Sequence, residues 1–363
     1  MNITKPTLIL DKRKCLKNIG RMADKAKKHN LIFRPHFKTH QSSEIGNWFK
    51  DFGVDRITVS SVDMALYFAE NGWDYITIAI PVNILEIEKL NFLASKININ
   101  LLVESLETVM FLKEHLLNQV GIFLKIDTGY HRTGIIYDNI NYINKNLNLI
   151  SKNDLIKFKG FLTHSGHTYL AKSKSEILNI HKDTISKMSA LKERYKVDYP
   201  ELLVSIGDTP SCSLAEDFEG VDEIRPGNFV FYDVMQFKLG SCKVEDIAVA
   251  MACPVIARHP ERNEIVIYGG AIHFSKEYIL DENKNKNFGL IVSINDETWS
   301  EPIEGAYLSS LTQEIGIIKA NKNFVEAINV GTLIGVLPVH SCLTANCMKS
   351  YTTFNNEVIN VFS

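Results

Sequence analysis

Seven consecutive residues, Arg34-Pro35-His36-Phe37-Lys38-Thr39-His40, concentrate ionisable and aromatic groups around a single lysine. The apolar triplet Leu31-Ile32-Phe33 leads into them as a buried strand would, and Pro35, with no N–H to donate, is expected to end the ladder. Lys38 is thereby expected at or just past a strand end, partly withdrawn from water. That setting disfavours the ammonium ion and favours the neutral amine, the nucleophile from which a Schiff base forms. Read alone, the same residues also suit an ordinary solvated basic turn.

A second stretch, Gly335-Val336-Leu337-Pro338-Val339-His340-Ser341-Cys342, sets an imidazole and a thiol two residues apart. If the chain is locally extended, both project to one side. Nitrogen and sulfur donors suit a soft-to-borderline metal, zinc first, with positions left open for water or substrate. A core histidine beside a buried cysteine is the plainer alternative. Cys347, five residues on, reads as packed.

Further polar clusters follow apolar runs: Asp127-Thr128-Gly129 with His131-Arg132-Thr133-Gly134, then His164-Ser165-Gly166-His167-Thr168-Tyr169, then Gly207-Asp208-Thr209-Pro210. Each passes as turn or cap chemistry alone. The runs that position them read as eight strands: 8–10, 31–33, 57–59, 75–80, 99–103, 121–126, 158–162 and 202–206. Stretches between them, such as 61–71 and 85–95, carry apolar residues three and four apart, as crossover helices do. Alternating units of this number predict an α/β fold with a parallel (β/α)8 TIM-like barrel, and its strand C-termini would share one functional face. An open doubly wound sheet is the rival, weakened because no glycine-rich dinucleotide fingerprint follows the first strand. From about Gly240, apolar runs separated by Gly, Pro and Asn leave little room for helices. They predict a mostly antiparallel β domain. The expected division is a barrel over 7–235 and a β domain over 236–363, with residues 1–6 packed against the latter.

At 363 residues and 45% hydrophobic, the chain is long enough for such a pair of domains. Its 40 basic and 42 acidic residues are mixed along the sequence, so it presents no footprint for nucleic acid or an anionic membrane. No apolar run reaches membrane-spanning length and no signal-peptide pattern opens the chain, which predicts a cytoplasmic protein with a small-molecule partner. Six scattered cysteines do not form a secreted disulfide framework.

Taken together, these motifs resemble the fold-type III pyridoxal-phosphate enzymes, in the D-serine dehydratase-like and D-threonine aldolase branch beside alanine racemase. The resemblance runs from Thr7-Leu8-Ile9-Leu10-Asp11 through Lys125-Ile126-Asp127-x-Gly129-x-x-Arg132-x-Gly134 and Glu223-Ile224-Arg225-Pro226-Gly227-Asn228 to His340-x-Cys342. It implies that Lys38 bonds the cofactor, pyridoxal 5'-phosphate, and acts as the catalytic base. It implies that Arg132 and Tyr169 line the pyridine ring, with Tyr169 at the ring nitrogen, and that Thr209, Gly227 and Asn228 cradle the phosphate. In that branch His-x-Asp tends to mark aldolases and His-x-Cys zinc dehydratases, so His340 and Cys342 imply Zn2+. The implied activity is β-elimination of a D-β-hydroxy amino acid, D-serine to pyruvate and ammonia, by a head-to-tail homodimer with a shared active site. Retro-aldol cleavage of D-threonine or a D-3-hydroxy amino acid is the alternative, and a non-catalytic carrier of the cofactor the reading from another class.

Overall fold

The computed structural model describes residues 3–362. The chain forms two compact units, one of Gly20–Lys38 and Asn47–Gly227, the other of the chain up to Ile19, Thr39–Gly46 and everything from Asn228 onward.

The first unit is built on eight parallel strands: Ile32–Phe33, Ile57–Val59, Tyr75–Pro81, Asn98–Val103, Val120–Asp127, Ile156–Leu162, Leu203–Ile206 and Glu223–Ile224. From the second to the eighth, each pairs with the next in sequence, and the eighth pairs with the first. A bridge between His36 and Thr58 joins the first strand to the second and closes the (β/α)8 ring. Pro35 therefore does not end the pairing as expected. It lacks a donor, but its carbonyl accepts the Thr58 N–H at 2.9 Å and the Phe37 N–H reaches Thr58 O at 2.9 Å.

Outer helices begin where the sequence offers hydroxyl caps: Ser61, Ser105 and Ser173 accept the N–H groups of Met64, Thr108 and Glu176. With helices outside and side chains filling the ring, every residue of Val120–Asp127 is buried.

The second unit holds a closed antiparallel ring of six strands, Val249–His259, Glu264–Tyr268, Ile315–Lys319, Tyr307–Leu311, Gly289–Ser293 and Leu333–Pro338. Thr7–Leu10 extends this sheet, antiparallel to Val249–Ala252 and parallel to Thr352–Thr353. The run expected as the first barrel strand thus belongs to the β unit, and the eighth barrel strand is Glu223–Ile224 instead. A three-residue apolar run such as 8–10 satisfies any buried sheet, and its pairing partner is not written in its own sequence. The units divide at 227/228 rather than at 235/236, and the segment through Ile19 lies with the β unit. Of the stretch 1–6, residues 1 and 2 lie outside the described residues. No helix among the described residues is long and apolar enough to cross a membrane.

Candidate active site

In the barrel unit, polar groups collect at the C-terminal ends of the strands. Asp127 organises the loop after the fifth strand: its Oδ1 accepts the N–H groups of Gly129, Tyr130 and His131 at 2.9–3.1 Å, and its Oδ2 pairs with His131 Nδ1 at 2.9 Å. Burial works against the Asp127 carboxylate, but these donors hold its pKa below the ordinary value. Gly134 closes the loop at φ +114°, where a Cβ would lie 2.7 Å from Asp127 N. Arg132 sits on this loop, exposed, with its guanidinium 4.9 Å from the Tyr130 ring centroid.

Lys125 points into a buried, cationic interior. Burial, then the charges of Arg225 and Arg132, lower its pKa to about 7. Arg225 is itself held by Ser205 Oγ at 2.7 Å and by the Thr163 carbonyl at 2.5 Å. His164 donates Nδ1–H to the Gly207 carbonyl at 2.5 Å, and burial together with Lys125 pushes its pKa well down. It is therefore a neutral imidazole with Nε2 left as acceptor.

Asp208 caps the short helix Thr209–Leu214 by accepting from Ser211 N at 2.7 Å and Thr168 Oγ1 at 3.0 Å. The Thr209 N–H meets the Tyr169 hydroxyl at 3.2 Å. Gly207 lets the neighbouring loop approach, since a Cβ there would lie 2.9 Å from the Arg225 backbone. These donors and cations fit a phosphorylated, anionic cofactor.

The Lys125 titration makes a testable prediction. An unfolded chain keeps this proton up to the ordinary value of 10.5, the folded chain only up to about 7. Between those values the unfolded state binds more protons, so stability rises with pH, by up to about 1.4 kcal/mol per pH unit. Urea midpoints of the cofactor-free protein at pH 7–10 should climb, and Lys125→Met should flatten the climb. An equal slope in the variant would assign the proton elsewhere.

The second unit builds a different constellation. His340 follows strand Leu333–Pro338 and caps helix Ser341–Met348, so Cys342 lies in the first helical turn. The premise of an extended His-x-Cys segment is thus replaced by a strand-to-helix turn, which still brings the two side chains into a hydrogen bond. Burial opposes charge on His340, but the hydrogen bond and charge of Cys342 outweigh it and raise its pKa to about 9. A site where nitrogen and sulfur share a proton is one where a metal ion can take that proton's place.

Thr39 Oγ1 lies 3.2 Å from Cys342 Sγ, and Asn228 Nδ2 lies 3.5 Å from it. The Asn228 amide also donates to Asp233 Oδ2 at 2.6 Å and Ser341 Oγ at 3.1 Å. Its side chain is therefore engaged beside Cys342, and only its backbone is left for the phosphate role expected of it. No third His, Cys, Asp or Glu joins the pair in a metal-ligating group among the described residues. Cys347, five positions further along the helix, is rotated roughly 140° away.

The structure thus places Lys125, Tyr169 and Thr209 with the barrel's strand ends, and His340, Cys342 and Asn228 together in the β unit. Gly227 follows Pro226, whose carbonyl accepts the His36 N–H at 2.8 Å. Lys38 lies two residues beyond the closing bridge and is exposed rather than withdrawn from water, though near enough to His164 to affect it. The Tyr169 hydroxyl lies beside Thr209, a contact its expected place at the ring nitrogen does not describe.

Sequence reading missed Asp233, which anchors the His340 turn by accepting the Ser341 N–H at 3.1 Å. Its one signal was an Asp ahead of an apolar helical run, and it does cap Val234–Leu239. Lys125 and Arg225 stood in the motifs, but only the fold shows them sharing one interior.

Comparison with known proteins gives these constellations a context. The family model "Alanine racemase, N-terminal domain" matches residues 10–234, and "Putative serine dehydratase domain" matches 248–354. The chain is 29% identical to the D-serine dehydratase of Dictyostelium discoideum, covering 99% of this chain and 96% of that one. It is 24% identical to the D-threo-3-hydroxyaspartate dehydratase of Delftia sp., over 97% and 94% of the two chains. The solved structure of that Delftia enzyme superposes with a TM-score of 0.90 at 22% identity, covering 99% of this chain and 98% of that one. D-threonine aldolase from Filomicrobium marinum gives 0.83 at 19%, over 99% and 95%. With the first model spanning well over half of the sequence, the chain belongs to the alanine racemase N-terminal domain family, with residues 248–354 matching the serine dehydratase domain model.

Proposed function

We propose that this chain is a pyridoxal-phosphate- and zinc-dependent lyase that eliminates water from a D-β-hydroxy amino acid, D-serine foremost, the enamine so formed being hydrolysed by water to a keto acid and ammonia. Pyridoxal phosphate supplies an electron sink for a carbanion at Cα, and zinc supplies Lewis acidity at the departing β-hydroxyl. Lys38 would hold the cofactor through its Nζ, and the same Nζ would be the base that takes the Cα proton. Thr209, Gly227 and the Asn228 backbone hold the phosphate. The cationic interior formed by Lys125 and Arg225 draws anionic groups toward the strand ends. Arg132 and Tyr169 line the ring, and neutral His164 accepts a hydrogen bond at Nε2. His340 and Cys342 hold the metal, oriented by Asp233 and Asn228.

The observation that carries this reading is the hydrogen-bonded imidazole–thiol pair at residues 340 and 342. Thiolate favours zinc over harder divalent ions, and a relative of this architecture, D-threo-3-hydroxyaspartate dehydratase, has been solved as a cysteine-to-alanine mutant in the metal-free form. Dehydratases also stand among the relatives aligned along nearly the whole chain. We further read the protein as a cytoplasmic homodimer. Product analysis tests the reaction: pyruvate from D-serine and 2-oxobutyrate from D-threonine are expected, with no turnover of the L-isomers. Glycine and acetaldehyde from D-threonine would make the chain an aldolase.

A further inference from the structure

We propose that the opposite, N-terminal end of the barrel binds a small polyvalent oxyanion of the phosphate class. Leu102, Phe123 and Leu162, with Leu203 against them, form a buried apolar cluster. A cavity of about 180 Å³ lies at the strand starts, lined by Arg34, Arg56, Asn100, Gly121, Lys157 and Lys159 among others. Barrel interiors are ordinarily filled by layers of branched apolar side chains. Here Gly121 gives up its side chain so that polar ones can close in: a Cβ at that position would lie 2.0 Å from Asn100 Oδ1 and 2.9 Å from Lys159 Cγ, which bring an amide and a lysine stem to the cavity wall. Asn100 is fixed by donating Nδ2 to Thr77 Oγ1 at 3.0 Å.

The charges around this space do not balance. Arg34 spends its Nε on Glu223 Oε2 at 2.6 Å, and Glu223 Oε1 accepts from Ser205 Oγ at 2.6 Å. Arg56 is matched by Asp55, with two contacts of 2.6 and 2.7 Å. Lys157 and Lys159, two apart on one strand and so on one side of it, take part in no ion pair among the described residues. Moreover, Arg34 is only 3% exposed, yet its Nη1 is buried without a hydrogen-bond partner. A buried guanidinium N–H left unmet is costly, and an acceptor beside it removes that cost.

Two exposed ammonium groups without an ion-pair partner among the described residues, the unmet buried Nη1 of Arg34 and room for more than one water suit a ligand with several acceptor oxygens and more than one negative charge. Chloride offers too few contacts and water no charge. The site is separate from the strand ends assigned to the cofactor, so it stands whatever the reaction proves to be.

Inorganic phosphate titrated into the cofactor-loaded protein is the direct test, by calorimetry and by thermal unfolding against chloride at equal ionic strength. Saturating phosphate is expected to raise the melting temperature by a few degrees. The double substitution Lys157→Gln/Lys159→Gln should raise the phosphate Kd at least tenfold, with bound-cofactor absorbance and turnover unchanged. Glycerol phosphate in a parallel arm separates an ester from the free ion, whichever binds more tightly. Absence of phosphate-specific binding, or equal binding by the double variant, would overturn the proposal.

Discussion

Lys38→Ala is expected to abolish the visible absorbance of lysine-bound pyridoxal phosphate and to lower elimination by at least 10²–10⁴-fold, the range general-base groups contribute. Both effects come from one Nζ. On the proposed reading that atom would be both the covalent anchor of the cofactor and the acceptor of the Cα proton on this loop. The fold of the variant should be unaffected, because Lys38 is exposed and lies beyond the His36–Thr58 bridge that closes the ring. Phosphate-held cofactor, without its lysine bond, should still be detectable by mass after gentle desalting. An unshifted visible band with retained activity would place the Schiff base on another lysine, and Lys125, whose amine is largely neutral above about pH 7, would be the first to examine.

Cys342→Ala should release bound zinc and cut elimination at least about a hundredfold, the size expected from losing a few kcal/mol of stabilisation on the departing oxygen. The lysine-bound absorbance should survive, since the thiol meets Asn228 through the side-chain amide, leaving the backbone proposed for the phosphate in place, and otherwise meets Thr39 and His340. Metal content by elemental analysis and turnover of D-serine are read on the same preparation. Full zinc with full rate would remove the metal site from the account. The truncation also deprives the Asn228 amide of one contact while leaving those to Asp233 and Ser341, so only a modest loss of stability is expected.

Much of this architecture was legible because strand runs and cap residues are local signals. Seven of the eight predicted strands recur in the barrel with ends shifted by two residues or fewer. The exception, Thr7–Leu10, is a strand as expected but pairs with Val249–Ala252. Pairing is a property of two segments, and nothing within a short apolar run names its partner. Glu223–Ile224 escaped notice for the converse reason: a carboxylate is out of place in a buried strand unless partners such as Arg34 and Ser205 meet it.

The residues of the proposed site divide along the same line. Lys38, Thr209, His340 and Cys342 stood in motifs whose residue types announce their chemistry. Asp233 did not, because its partners lie 5 and 108 residues away in sequence. The His340–Cys342 pairing was reached through the wrong local geometry. A helical first turn, entered through an extended residue at 340, brings together what a strand would have set side by side.

Elimination from a D-β-hydroxy amino acid is expected to depend on a metal held by His340 and Cys342. The most direct measurement is pyruvate formation from D-serine before and after exhaustive chelation, then after addition of zinc, with the visible cofactor band followed throughout. Loss of pyruvate on chelation, full recovery with zinc and an unchanged cofactor band are the predicted result. Undiminished pyruvate formation by protein shown to be free of zinc would contradict it.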